Sequence, residues 1–89
     1  MRKPKRSKRF RQDVDRLIKR RYDFGEFKTV ISLLINETPL PAKYRDHALK
    51  GKLSGYRDCH IESDWVLIYA IRGNVLFLYR TGSHADILE

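Results

Sequence analysis

The three histidines of this chain, His47, His60 and His84, all lie in its second half, each close in sequence to an aspartate: Asp46, Asp58, Asp64 or Asp86. Imidazole titrates near neutrality, so two of them can act as general base and general acid while a carboxylate orients a ring. Applied to RNA, that chemistry takes the proton from a ribose 2′-OH, drives attack on the adjacent phosphate and protonates the leaving 5′-oxygen. Negative charge gathers on the phosphate oxygens in the transition state, so a cation completes the set, and Arg80 is the strongest candidate for it. Each histidine also has an ordinary structural reading: His47 in a loop, His60 beside a turn, His84 in a short C-terminal helical turn capped by Ser83. A metal is not expected. Asp58, Cys59, His60 and Asp64 supply ligand types for zinc, but adjacent strand residues point to opposite faces, and there is no second cysteine. The same lone Cys59 excludes an internal disulfide, and no Gly-rich phosphate loop or nucleophile elbow occurs.

The elements that must position these residues follow from periodicity. Phe10, Val14, Leu17 and Ile18 mark one apolar stripe on a helix over residues 8–21, with Ser7 as its cap. A second helix is announced by Asp23 and Glu26 as a capping box and by Tyr22 packing on Phe27. It carries Phe24, Phe27, Val30, Ile31 and Leu34 and stops before Pro39 and Pro41. Residues 56–61, 65–71 and 75–80 are then rich in β-branched and aromatic residues and read as a three-stranded meander, with Gly73-Asn74 as one two-residue turn and Glu62-Ser63 as the other. In that register Arg57, Cys59, Ile61, Val66, Ile68, Ala70, Val75, Phe77 and Tyr79 face the helices. The other face then carries Tyr56, Asp58, His60, Trp65, Leu67, Tyr69, Leu78 and Arg80, a mixture of acid, imidazole, guanidinium and aromatics suited to a site. Trp65, outward in this register, is as a residue type more often core than ligand-stacking. Arg57 has an alternative as an ion-pair partner at the sheet edge.

With 89 residues and 42% hydrophobic content, the chain has room for a single compact domain, residues 1–89, of α+β class. Its net charge of +8 is unevenly placed: residues 1–22 hold 11 of the 19 Lys/Arg against 2 acids, and the remainder is nearly neutral. Lys8, Arg9 and Arg11 crowd the positive end of the first helix's dipole, costing roughly 0.3–1 kcal/mol each, so local stability does not select them. With Arg16, Lys19 and Arg20 they form either a solvated face or a phosphate-contacting, RNA-binding patch. No apolar run approaches the ~20 residues of a membrane helix, and the basic N-terminus lacks the apolar stretch of a signal peptide, so a cytoplasmic protein without membrane contact is expected.

The segment LPAKYRDHALKGKLSGYRDCHIESDWVLIYAI followed by LYRTGSHADIL resembles the YafQ branch of the RelE-type bacterial toxins. The specific matches are Asp46-His47 before a Leu-x-Gly, Gly55-Tyr56-Arg57-Asp58-x-His60, Asp64-Trp65 and Arg80-Thr81-Gly82-x-His84. The resemblance implies a RelE-like fold, two helices packed on an antiparallel sheet of three to four strands, with a short first strand at Lys3–Arg6. It implies a ribosome-dependent mRNA endoribonuclease of a type II toxin–antitoxin system that needs no cofactor. It also implies a cognate RelB/DinJ-like antitoxin, contacts with mRNA on the ribosome and with ribosomal RNA, and operator DNA bound only as the toxin–antitoxin complex. By position, His47, Asp58, His60, Asp64 and His84 match the acid/base group and Arg80 the phosphate-stabilising arginine. Trp65, Arg57, Lys50 and Leu88 are the candidate substrate contacts, Leu88 standing where related toxins often carry a base-stacking aromatic. Two readings compete with the enzyme: a non-enzymatic basic nucleic-acid-binding module acting with a partner protein, and a protein-interaction subunit docking through the mixed sheet face.

Overall fold

A computed structural model describes residues 1–88, with the side chain of Leu88 outside the described set. The chain order is β1 (Lys3–Arg6), α1 (Lys8–Lys19), α2 (Gly25–Ile35), β2 (His47–Ala48), β3 (Arg57–Glu62), β4 (Trp65–Arg72), β5 (Val75–Gly82) and α3 (His84–Leu88), with short 3₁₀ turns at Ala42–Tyr44 and Gly51–Leu53. The sheet has five strands in the order β1-β5-β4-β3-β2. The α+β class and the meander stand as expected. The strand count is higher than three to four, because β1 pairs in parallel with β5 and the two-residue β2 pairs with β3.

Helix α1 begins as its sequence directs: the Ser7 hydroxyl oxygen accepts from the Phe10 N–H at 2.9 Å and donates to the Tyr79 carbonyl at 2.6 Å, tying the cap to the sheet. Its buried face is Phe10, Asp13 and Leu17, while Ile18 is exposed, so the stripe runs one position earlier than the apolar residues alone suggest. Helix α2 starts one residue later than the capping box requires. Phe24 is the N-cap, the Asp23 carboxylate accepts from the Gly25 N–H at 2.9 Å, and Glu26 turns instead to the Tyr44 hydroxyl at 2.7 Å. The Tyr22–Phe27 staple is replaced by a larger aromatic cluster, in which Tyr22, Phe24 and Phe27 all pack on Trp65 with centroids 5.0–5.5 Å apart.

The face assignment of β4 and β5 is corrected by the register. The β3–β4 turn is formed by Ser63-Asp64, with Glu62 opposite Trp65, and Ile61 is an extra residue at a bulge. Trp65, Leu67, Tyr69, Leu76 and Leu78 therefore join Cys59 and Ile61 toward the helices, with Phe10, Leu17, Phe27, Val30 and Leu34 above them. Only β3 keeps its expected faces. The Gly73-Asn74 hairpin is as read, Arg72 opposite Val75, but Tyr79 is an extra residue at a second bulge, so Arg80 lies opposite Ile68, where an unbroken two-residue hairpin would set it opposite Leu67. Central strand β4 is buried on both faces from Trp65 to Ala70, so its run of apolar residues carries no alternation to report which side faces inward.

Candidate functional site

The open face of the sheet, opposite the helices, is built on Asp58 and His60 of β3. Asp58 pairs across β4 with Ile68 and His60 with Val66, and both β4 side chains are buried, giving the polar residues an apolar floor. Antiparallel β2 places His47 opposite Asp58, and α3 brings His84 over the far edge. The three imidazoles form a row, with ring centroids 6.5 Å apart for His47 and His60 and 5.6 Å for His60 and His84.

Each outer imidazole has a fixed tautomer. His47 Nδ1–H donates to the Arg45 carbonyl at 2.9 Å, leaving Nε2 to face Asp58 Oδ2 at 3.8 Å. His84 Nδ1 is bound to Asp64 Oδ1 at 2.6 Å, and the same oxygen accepts from the His84 backbone N–H at 3.2 Å, so its Nε2 is the nitrogen left for proton transfer. The bond to His84 lowers the pKa of Asp64 and keeps it charged. Asp58 is shifted the other way: burial raises its carboxyl, against the opposing pull of the three histidines, and its Oδ1 is buried without a hydrogen-bond partner among the described residues.

That buried acid predicts a pH-dependent cost to stability. A carboxyl whose pKa is raised on folding binds more protons in the native than in the unfolded state, so its contribution to stability falls as pH rises through the acid range. Asp58→Asn is expected to have a higher Tm than the parent at neutral pH, with the difference shrinking between about pH 7 and pH 3. Thermal melts of both proteins across that range check it, and a lower Tm for the variant at neutral pH would contradict it.

Helix α3 is secured by a reciprocal cap: the Ser83 N–H donates to Asp86 Oδ2 and the Asp86 N–H to the Ser83 hydroxyl, both at 3.1 Å. Asp86 also receives Arg20 at 2.9 Å, and these bonds, Arg20 foremost, hold its pKa down to about 2. Gly82, at φ +149°, precedes this cap, and a Cβ there would come within 3.0 Å of the Asp86 carboxylate, so only glycine lets β5 run directly into α3.

Arg80 is buried, and its Nε and Nη2 donate to Asp13 at 2.7 and 3.2 Å, with Nη2 also reaching the Asp86 carbonyl at 3.2 Å. Asp13, only 2% exposed, further accepts from the Thr81 N–H and from Arg16. The remaining Arg80 nitrogen, Nη1, makes no hydrogen bond among the described residues. Asp13 was missed at the sequence level, although an acid three residues after Phe10 and four before Leu17 sits on the core-facing stripe, which is itself a signal.

Several expected contacts lie elsewhere. Trp65 is 1% exposed in the aromatic core, its Nε1–H donating to Thr81 Oγ1 at 2.8 Å, so it cannot stack on a substrate; the register slip at Ser63-Asp64 turned it inward. Arg57 is engaged by Asp46 at 2.9–3.3 Å, and Asp46 also accepts from the Tyr69 hydroxyl, a network that staples the β2 approach to the sheet. Lys50 is exposed at the edge beyond β2. The side chain of Leu88 lies outside the described residues. In the basic patch, Lys8, Arg9, Arg11 and Lys19 are exposed, whereas Arg16 and Arg20 are tied to Asp13 and Asp86. Helix α1 packs on the helix side of the sheet, opposite the face that carries His60, while Arg16 and Arg20 reach across to Asp86 of α3, two residues from His84. Among the described residues no three His, Cys, Asp or Glu side chains converge to hold a metal ion, and no helix is long and apolar enough to cross a membrane.

Comparison with known proteins agrees with this architecture. Residues 2–89 match the family described as bacterial toxin of type II toxin–antitoxin system, YafQ. The mRNA interferase toxin YafQ of Escherichia coli K12 is 48% identical over 82 residues, covering 91% of this chain and 89% of that protein. The crystal structure of YafQ from Escherichia coli BL21(DE3) superposes with a TM-score of 0.93 at 42% identity over the whole of both chains. A YafQ chain from the Escherichia coli DinJ–YafQ complex gives 0.92 at 42% identity, again over both full lengths. With the sheet order, the helix pair and the sequence match in agreement over nearly every residue, the chain belongs to the YafQ family of bacterial toxins of type II toxin–antitoxin systems.

Proposed function

We propose that this toxin is an mRNA interferase, a cytoplasmic endoribonuclease that cuts mRNA on the ribosome and so stops translation. The observation that carries the reading is the row of three imidazoles around half-buried Asp58, with the tautomers of the two outer rings fixed by Arg45 and Asp64. In-line displacement at phosphorus needs base and acid on opposite sides of the phosphate, and a row of imidazoles offers ring nitrogens on both. One imidazole takes the 2′-OH proton, the O2′–P bond forms as the P–O5′ bond breaks, and a second imidazole protonates O5′. The upstream fragment then ends in a 2′,3′-cyclic phosphate. Asp58 holds the positive charge that the row acquires in turn, and Arg80, immobilised by Asp13, offers Nη1 to a phosphate oxygen.

The exposed Lys8, Arg9, Arg11 and Lys19 on the other face suit ribosomal RNA rather than the strand being cut. The same charge suits an acidic, RelB/DinJ-like antitoxin that wraps the toxin and also covers the histidine row, with operator DNA bound by the pair. The relative found in complex with DinJ supports such a partner.

End-mapping of mRNA cut on stalled ribosomes tests the chemistry. A 2′,3′-cyclic phosphate upstream and a 5′-OH downstream are expected. A 3′-OH paired with a 5′-phosphate would overturn the 2′-OH mechanism, and equal cutting of free RNA would overturn ribosome dependence.

A further inference from the structure

The open face carries a second feature beside the histidines that the chemistry does not use. Tyr56, Phe77 and Tyr79 are each half-buried and lie outside the core cluster. Their rings are gathered on one another: Tyr56 and Tyr79 centroids are 4.9 Å apart, Phe77 and Tyr79 6.3 Å, Tyr56 and Phe77 6.4 Å. The gathering depends on Ala70 of β4, which pairs with Phe77 and is fully buried; its methyl group lets rings from either side meet across the central strand. Arg72 lies over two of them, its guanidinium carbon 5.3 Å from the Tyr56 centroid and 5.2 Å from that of Phe77, with Nη2 donating to the Tyr56 hydroxyl at 3.2 Å. In the parallel β1–β5 register, exposed Lys3 stands beside Val75 and exposed Lys5 beside Phe77.

We propose that Tyr56, Phe77 and Tyr79 form a stacking platform for unpaired bases of the RNA next to the scissile phosphate, with Arg72, Lys5 and Lys3 following its backbone. The inference rests on the ribonuclease reading and names where the substrate lies. Aromatic area left half in water adds little to folding, whereas every base has a π-face to stack on it. A cationic rim around such rings matches a polyanion that carries flat apolar groups. The platform is also continuous with the chemistry: Tyr56, the residue just before β3, is two residues from Asp58, about 7 Å along an extended chain. With Trp65 in the core, these rings are the aromatic surface available to a base among the described residues on this face.

The test uses the full chain. Tyr56→Leu, Phe77→Leu and Tyr79→Leu are each expected to raise the half-saturating concentration for cleavage of ribosome-bound mRNA about 5- to 150-fold, with the saturated rate retained. Tyr79→Trp, which keeps a stacking face, should restore it. Independently, a short single-stranded RNA with 2′-O-methyl groups, which cannot be cut, is titrated into the parent protein while the ring protons of the three residues are followed by NMR; shifts at all three are expected. Ring shifts without cleavage by the parent would leave the platform standing and remove the ribonuclease reading. Cleavage with unmoved rings and unchanged half-saturation in folded variants would overturn the platform. So would variants that keep RNA affinity but lose an acidic antitoxin peptide, which would assign the surface to a protein.

Discussion

Replacing His84 by alanine is expected to lower cleavage of ribosome-bound mRNA about 100- to 10,000-fold, the range for removing a positioned general acid or base. The fold should hardly notice. His84 is the first residue of α3, its side chain is 46% exposed and its partner Asp64 69%, and pairs so open to water contribute at most about 1 kcal/mol. The cap of α3 comes from Ser83 and Asp86, which the substitution leaves in place. Activity should therefore collapse with Tm within about 4–8 °C of the parent. Asp64→Asn separates the ring from its orientation, because the amide can still meet Nδ1 but no longer selects one tautomer by charge. Its expected loss is smaller, and in the His84→Ala background it should cost nothing further, since the two act through one imidazole. A folded His84→Ala protein retaining more than about a tenth of parent activity would remove His84 from the proton transfers.

Asp13→Ala is expected to be the most destabilising single change in the molecule outside the aromatic core. Asp13 and Arg80 are 3% and 8% exposed at their side chains, and removing the carboxylate leaves a buried guanidinium without its counter-charge and the Thr81 N–H without its acceptor. Breaking one side of such a pair costs about 3–5 kcal/mol, equivalent to a fall in Tm of roughly 12–40 °C for a domain of this size. Removing both charges is a different matter. In Asp13→Leu/Arg80→Met the orphaned charge disappears, so the double variant should be more stable than Asp13→Ala while remaining inactive. Urea denaturation of the two variants and the parent measures this; a cost of under about 1 kcal/mol for Asp13→Ala would show that the pair is open to water. Because Arg80 also holds the Asp86 carbonyl, loosening it reaches α3 and thus His84, so at temperatures where Asp13→Ala is still folded its cleavage should already be impaired.

The parts of this fold that could be read directly were those in which a local signal has one meaning. Ser7 before an amphipathic run, two prolines after one, and Gly73-Asn74 between strands each admit a single geometry, and each is found. The failures have physical causes. Which way Trp65 faces depends on one residue in a turn, and neither Glu62-Ser63 nor Ser63-Asp64 has the glycine or asparagine that would decide between them; the Ile61 bulge then hides the slip from β3. The central strand could not correct the error, being apolar on both sides. β1 is exposed along its length and β2 has two residues, so neither has a period, and β1 was anticipated only through the family resemblance. For the site, the histidines and aspartates were legible as residue types, but their convergence is a property of the β2–β3 register and of the turn into α3. The Asp13–Arg80 pair joins residues 67 apart, a separation that no local pattern encodes.

That separation also bears on how the protein is made. β1 pairs in parallel with β5, Asp13 finds its counter-charge only in Arg80, and His47 and His60 are completed by His84. Contacts of such long sequence separation form late, after the loop between them has been closed. A chain still being synthesised thus carries a buried-to-be carboxylate without its arginine, an edge strand without its neighbour and two imidazoles without the third. On the ribosome that makes this protein, the three imidazoles can come together only once β5 and α3 have emerged.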